Sequence, residues 1–432
     1  MVRFLYRLAW AGGRPLAGLL VRGDGKAART VRGRHGGARA LAAWAATHRR
    51  PGARLVWFHA ASVGEGRQAE AVLLRLRQAR PDWLFLYTYA SASAESFAGR
   101  LPVDFAGYVP ADTPADVGSS LDAVRPDALV FSATDLWPVL VEEARRRGVR
   151  LALISATLAP TSSRRGWWAR ALLTPAYAAL DSVGAIDAAD AAGLAELGVR
   201  REAIALTGDT RHDSAAARAA AADRASPALR AFAADGPPIV VCGSTWPADE
   251  EVLLPALAEA RRHAPVRVVV APHEVGAAHL QALERGLGAA VRLSALEDAA
   301  RRGEPVPPWE HCIVDRVGIL ADLYASAAVA YVGGGFGASG LHAVIEPAAH
   351  GVPVLFGPRW QSSRDARLLL EAGGACAADG ADDLRAALRA WLENDTARAA
   401  AGAAARAVVD HGLGAAGRSA QLVLELIERR PA

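Results

Sequence analysis

YVGGGFGASGLHAVIEPAAHGVPVLFGP, residues 331–358, is the stretch on which the fold turns. An apolar run ending at Val332 meets a glycine-rich turn, then a helical stretch, then a second apolar run, VPVLF, at 352–356. Strand, turn, helix and strand in that order make a parallel βαβ unit whose strands are buried on both faces. Gly335, Gly337 and Gly340 satisfy the GxGxxG spacing. Following a strand and opening a helix, they predict a backbone that approaches a phosphate closely and a helix N-terminus that offsets its charge. A nicotinamide dinucleotide fits poorly, because no acidic residue stands about 20 positions further on to take the ribose hydroxyls. Glu346 comes six residues after the last glycine, placed to reach a ribose from the same helix, which suggests a nucleotide sugar. On spacing alone His342 reads as a satisfied histidine at a helix start.

Outward from this unit the same alternation fills the chain. LVWF (55–58), LFLYT (84–88), FAGYV (105–109), ALVF (128–131), LALIS (151–155), VGAI (183–186) and AIAL (203–206) form one series of strands. IVVC (239–242), VRVVVA (266–271), VRL (291–293), CIVD (312–315), AVAYV (328–332), VPVLF and ACAA (375–378) form a second. The expectation is an α/β protein of two doubly wound, Rossmann-like lobes facing across a cleft. A length of 432 residues suits two domains of about 200. The predicted boundaries are a basic segment at 1–50, a first lobe at 51–213, a linker at 214–238 made of an Ala/Arg/Asp-rich helix followed by Gly236, Pro237 and Pro238, and a second lobe at 239–432 that includes closing helices.

With 52% hydrophobic and 22% charged residues, the composition excludes a disordered or collagenous chain. Three widely spaced cysteines, Cys242, Cys312 and Cys376, support neither a disulfide framework nor a zinc knuckle. The net charge of +4 conceals an asymmetry: residues 1–50 carry eleven basic groups against Asp24 alone, so the rest of the chain is net acidic. In FLYRLAWAGGRPLAGLLVR, Tyr6 and Trp10 suit a lipid headgroup zone, and the arginines suit anionic lipid. A packed helix with a solvated basic flank fits the same residues. No run reaches the roughly 18–20 apolar residues of a transmembrane helix, Arg7 and Arg14 interrupt any signal-peptide core, and no nucleic-acid-binding motif accompanies the charge.

A second motif, HAASVGEGRQA at 59–69, follows a buried strand. Gly64 and Gly66 bracket Glu65 at a strand-to-helix turn, the setting for a positioned carboxylate that deprotonates a sugar hydroxyl, with His59 or Ser62 to orient it. The same spacing fits an ordinary acidic residue in a helix's first turn.

Taken together, HAASVGE (59–65), YVPADTP (108–114), ATDLWP (133–138), LTGDTRHD (206–213), GSTWPADEE (243–251), APHE (271–274), VGILADLY (317–324) and the 331–358 stretch resemble the 3-deoxy-D-manno-octulosonic acid (Kdo) transferases, in order, from about residue 4 to 425. That resemblance implies the two-lobed GT-B glycosyltransferase fold. It also implies inverting transfer of Kdo from CMP-Kdo to a lipid A-type acceptor in lipopolysaccharide synthesis, with no cofactor and no metal, at the cytoplasmic face of a bacterial inner membrane. Glu65 then stands at the family's catalytic base, with His59, Ser62 and Asp135 on the acceptor side. Arg211 is implied as a partner of the donor carboxylate or phosphate. Pro272, His273 and His342 would contact the nucleotide, Gly334, Gly335 and Gly337 its phosphate, and Glu346 the ribose.

Departures from the family pattern fall at functional places. ETELWP becomes Ala133, Thr134, Asp135, Leu136, Trp137 and Pro138; NAR becomes Ser155, Ala156 and Thr157; the asparagine of an HN pair becomes Ala343; and TTxTxTG is eroded to TYASASA at 88–94. A GT-B enzyme of other donor or acceptor specificity, including a nucleotide-sugar epimerase, and an impaired nucleotide-binding paralogue remain open alternatives at this level.

Overall fold

The computed structural model describes residues 25–232 and 236–429, together with Val2, Leu5, Tyr6, Trp10 and Gly23. Its two compact units are residues 1–214 with 413–432, and residues 215–412.

Seven parallel strands build the first unit: β1 (Leu55–His59), β2 (Leu84–Tyr89), β3 (Phe105–Tyr108), β4 (Ala128–Ser132), β5 (Arg150–Ala156), β6 (Ser182–Ala185) and β7 (Ile204–Leu206), in the order β3-β2-β1-β4-β5-β6-β7. The register pairs Trp57 with Leu86 on one side and Leu129 on the other. Side chains alternate across the sheet: Leu55 and Trp57 join one core, Val56 and Phe58 the other. Both faces need cover, which is why these strands read as unbroken apolar runs. Helix Lys26–His48 supplies Leu41, Trp44 and Ala45 to the first face. Two of its glycines are demanded by close approach: a Cβ on Gly33 would lie 2.4 Å from the Tyr108 ring, and one on Gly37 would lie 2.6 Å from the Tyr108 carbonyl. Within the basic N-terminal segment, residues 26–48 are therefore a packed helix, while most of 1–24 lies outside the described residues.

Helices Val63–Ala79 and Ala415–Glu428 cover the other face. The latter corrects the expected 239–432 lobe. Leu422, Val423, Leu426 and Ile427 form a stripe that packs with Val130 and Ile154, so the chain ends in the first unit. Asp213 caps that helix, accepting from the amides of Gly414 (3.0 Å) and Ala416 (2.9 Å). The linker is helical as expected, with Thr210–Ala220 and Pro227–Phe232, and Phe232 meets Trp309 edge-on in the second unit's core.

The second unit repeats the architecture with β8 (Ile239–Thr245), β9 (Arg267–Pro272), β10 (Ala290–Arg292), β11 (His311–Ile313), β12 (Val329–Val332), β13 (Val354–Phe356) and β14 (Ala375–Ala377), in the order β10-β11-β9-β8-β12-β13-β14. All fourteen strands fall where the apolar runs predict them, within two residues at each end except for β8, which continues three residues past its run. Strand order reverses between β1 and β4 in one sheet and between β8 and β12 in the other. Ligands of open parallel sheets gather beyond the carboxyl ends of the strands at such points. Backbone strain concentrates there too: Ala133 after β4 (φ 61°), Ser155 near the end of β5 (φ 48°) and Ser244 near the end of β8 (φ 54°) are non-glycine residues in the left-handed region.

Candidate active site

In the first unit, the β1 and β4 ends bring Glu65, His59 and Asp135 together. Ser62 ends the β1 turn as N-cap of helix Val63–Ala79, and its hydroxyl accepts from the Glu65 amide at 3.5 Å. In return the Ser62 amide donates to Glu65 Oε2 at 3.1 Å, closing a capping box. The two readings of Glu65, helix-start residue and poised carboxylate, therefore hold at once. Burial, and then the charge of Asp135, raise the Glu65 pKa above the ordinary glutamate value; hydrogen bonds to the 61–62 turn pull the other way. The Asp135 pKa is itself raised by burial and drawn back by Arg164 and by the indole N–H of Trp137, which donates to Oδ2 at 3.2 Å.

His59 is fully buried, with Nδ1 3.0 Å from the Thr88 hydroxyl and Nε2 3.9 Å from Asp135 Oδ2. Burial and nearby Arg34 push its pKa down to about 3, so it is neutral at physiological pH. It stands beside the Asp135 carboxylate as a neutral ring. Arg34 went unnoticed in the sequence. Its guanidinium is clamped between the Trp10 ring (4.4 Å) and the Trp137 ring (4.1 Å), and its Nε and Nη2 are buried without a hydrogen-bond partner. Only its setting identifies it, since one arginine among eleven basic groups carries no local signal.

Replacing Asp135 with Asn removes the charge that holds the Glu65 proton on, so the folded-state pKa of Glu65 must fall. A base works only above its pKa; the acid limb of a pH–rate profile is therefore expected to move to lower pH in this variant, and an unmoved limb means that Asp135 does not act on Glu65.

Arg211 stands differently from expectation. Its Nε and Nη2 donate to Asp209 Oδ2 at 2.9 and 2.6 Å, and its amide to Oδ1 at 3.0 Å, so a buried neighbour two residues away already takes that edge of the guanidinium. Gln68 Nε2 also donates to Asp209 Oδ1, at 3.1 Å, and Thr210 donates to the Gln68 carbonyl at 2.9 Å. Arg211 is thus rigidly placed in the first unit, with its side chain partly exposed.

In the second unit, the ends of β8, β9 and β12 assemble a stack of three rings. The ring of His273, just after Pro272 at the end of β9, packs near-parallel over both Trp246 (centroids 4.6 Å) and His342 (4.4 Å), which stand side by side with centroids 6.4 Å apart. The Trp246 indole N–H donates to His342 Nε2 at 3.0 Å, which requires that nitrogen to be unprotonated. Burial and His273 both lower the His342 pKa, in keeping with that bond. Trp246 is a platform residue that spacing alone did not single out, although it follows a strand at the switch point.

The glycine loop departs most from expectation. It does not open a helix: Gly334 (φ 95°) and Gly340 (φ 81°) turn the chain through an irregular loop, His342 lies in that loop, and the next helix is only Ile345–Ala349. Two of its amides are already engaged. Asp249, fully buried at the start of helix Pro247–His263, accepts from Gly334 N (2.8 Å), Phe336 N (3.2 Å), Trp246 N (2.9 Å) and the Tyr331 hydroxyl (2.9 Å). A carboxylate of the chain itself thus occupies the position expected for a phosphate at those amides. The glycines serve packing: a Cβ on Gly334 would lie 2.0 Å from the Gly340 carbonyl, and one on Gly335 2.6 Å from the backbone of Gly357. Gly337 is not confined in this way, its nearest neighbour being 3.8 Å off. Glu346, in the first turn of its short helix, pairs with Arg218 Nη1 at 3.0 Å.

Comparison with known proteins follows the same lines. The family described as 3-deoxy-D-manno-octulosonic-acid transferase (kdotransferase) matches residues 32–214. The 3-deoxy-D-manno-octulosonic acid transferase of Bordetella pertussis is 32% identical over 78% of this chain and 78% of its own, and that of Chlamydophila psittaci is 30% identical over 75% and 74%. Among solved structures, UDP-GlcNAc 2-epimerase from Neisseria meningitidis bound to UDP-GlcNAc is 13% identical, covers 86% of this chain and 98% of that one, and superposes with a TM-score of 0.59; this likeness shows the shared GT-B-like fold alone. By sequence, over most of its length, the chain belongs to the 3-deoxy-D-manno-octulosonic acid transferase family of glycosyltransferases.

Proposed function

We propose that this glycosyltransferase moves Kdo from CMP-Kdo to a lipid A-type acceptor, with inversion and without a metal, at the cytoplasmic face of a bacterial inner membrane. The observation that carries the reading is Glu65, held by its capping box at the β1 end with a proton affinity raised by burial and by Asp135. An acceptor hydroxyl attacks the anomeric carbon of Kdo, its proton passes to the Glu65 carboxylate, and the bond to CMP breaks with both electrons going to the departing phosphate. In the second unit the Trp246–His273–His342 stack offers flat surfaces for a base and a ribose, and Arg359, whose Nη1 donates to the Gly337 carbonyl at 3.1 Å, brings a cation to the glycine loop. Arg211 and Glu346, both already engaged within the chain, would contact the donor only through their remaining polar atoms. The basic N-terminal segment favours contact with anionic lipid.

Calorimetric titration tests the donor half. CMP is expected to bind with an affinity at least about tenfold above UMP or UDP, a difference of about 1.4 kcal/mol. A preference for uridine nucleotides would move the enzyme to another donor.

A further inference from the structure

Residues 157–180, TLAPTSSRRGWWARALLTPAYAAL, contain three arginines and no acidic residue. The segment leaves the end of β5 and enters helix Trp167–Ala178, of which only Ala176 and Tyr177 are buried. At the opposite end of that helix Trp167 and Trp168 are 67% and 47% exposed, with ring centroids 4.1 Å apart. Two adjoining tryptophans in water are an unusual cost for a chain that buries most of its large apolar side chains. The helix is also tied to the carboxylate site. Tyr177 donates to the Thr134 carbonyl at 3.1 Å, and Arg164 lies 3.7 Å from Asp135 Oδ1. Around the indoles, Arg165 pairs with Glu196, whereas Arg170 donates to the neutral carbonyl of Glu196 at 3.0 Å and keeps its charge.

We propose that Trp167 and Trp168 insert into the headgroup zone of an anionic bilayer, forming a membrane contact separate from the basic N-terminal segment and adjacent to Glu65 and Asp135. Tryptophan, an apolar ring with one N–H, suits that zone, and arginine suits its negative surface. A second copy of the chain fits the patch less well. A two-fold contact centred here would set Arg164, Arg165 and Arg170 against themselves, and two side chains fall far short of the roughly 800 Å² per partner that a stable dimer buries. The proposal rests on a lipid-borne acceptor: the contact would hold the enzyme where such a substrate emerges from the bilayer.

Flotation of the full chain with phosphatidylcholine vesicles, with and without about 30% phosphatidylglycerol, reads binding without turnover, so it stays informative even if the donor assignment fails. The double variant Trp167→Ser, Trp168→Ser is expected to lose about tenfold or more of its partition onto the anionic vesicles. Arg170→Gln is expected to lose up to about fivefold, and only on the anionic ones. Because both indoles are exposed, the melting temperature should stay at the wild-type value. As an independent reading, brominated lipid should quench part of the wild-type tryptophan fluorescence, and that part should vanish in the double variant. Unchanged partition and quenching in the double variant would overturn the proposal, as would equal binding of wild type to neutral and anionic vesicles. A wild-type dimer that the double variant converts to monomer, with vesicle binding intact, would overturn it in favour of self-association.

Discussion

Glu65→Gln is expected to lower the rate of sugar transfer by about 10²–10⁴-fold while leaving the melting temperature almost unchanged. The separation of the two effects comes from the geometry. Glu65 is the third residue of its helix and closes a capping box with Ser62. Glutamine fills that position as well as glutamate does, because its side-chain oxygen can still accept from the Ser62 amide. What it cannot do is take a proton from an acceptor hydroxyl. Glu65→Ala removes both roles and should add a stability loss of about 1 kcal/mol. If Gln retained full turnover, the carboxylate would be a cap and nothing more, and the assignment of the base would fall. Single-turnover measurements with saturating donor isolate the chemical step from product release.

Asp249→Ala is expected to destabilise the second unit by about 3–5 kcal/mol. The value follows from leaving the buried Gly334 and Phe336 amides and the Tyr331 hydroxyl without their acceptor, at about 1–3 kcal/mol each and less than additive. Tyr331→Phe deletes one donor together with its need for a partner, so it should cost only about 1 kcal/mol. Asp249→Asn keeps the volume but turns an N–H₂ group towards at least one donor, and should fall between the two. Thermal denaturation of the three variants orders them. Nucleotide affinity should follow the same order, since Asp249 also fixes the Trp246 backbone and with it the ring stack. An Asp249→Ala protein as stable as Tyr331→Phe would mean that the glycine loop does not depend on this carboxylate.

Asp249 also marks where reading the sequence stops short. Strands were legible because burial on both faces writes a run of apolar residues into each, as in LVWFH and LFLYTY, whose residues are all buried. Glu65 was legible because the glycines on either side of it mark a strand-to-helix turn, which is a local pattern. The glycine loop was misread because its determining partner lies 85 residues away in sequence, and nothing in GGGFG tells an amide that will meet a phosphate from one that will meet Asp249. The pairing of Arg211 with Asp209 lies within reach of local reasoning, the two being only two residues apart. The return of helix Ala415–Glu428 to the first sheet could not be read at all: its apolar stripe says that it packs, not against what. Of the departures, Thr157 donates to Asp190 at 3.0 Å, so it is satisfied without a ligand, whereas nothing in the structure explains Ala133, which is buried at a left-handed φ of 61°.

The central claim, Kdo transfer from CMP-Kdo to a lipid A-type acceptor, is tested most directly by mass spectrometry of a lipid A precursor incubated with the full-length enzyme and CMP-Kdo. The expected result is one or more Kdo residues on the lipid and an equal amount of CMP released, both abolished in Glu65→Gln. An unmodified lipid, under conditions where CMP-Kdo is bound or another nucleotide sugar is consumed, would contradict it.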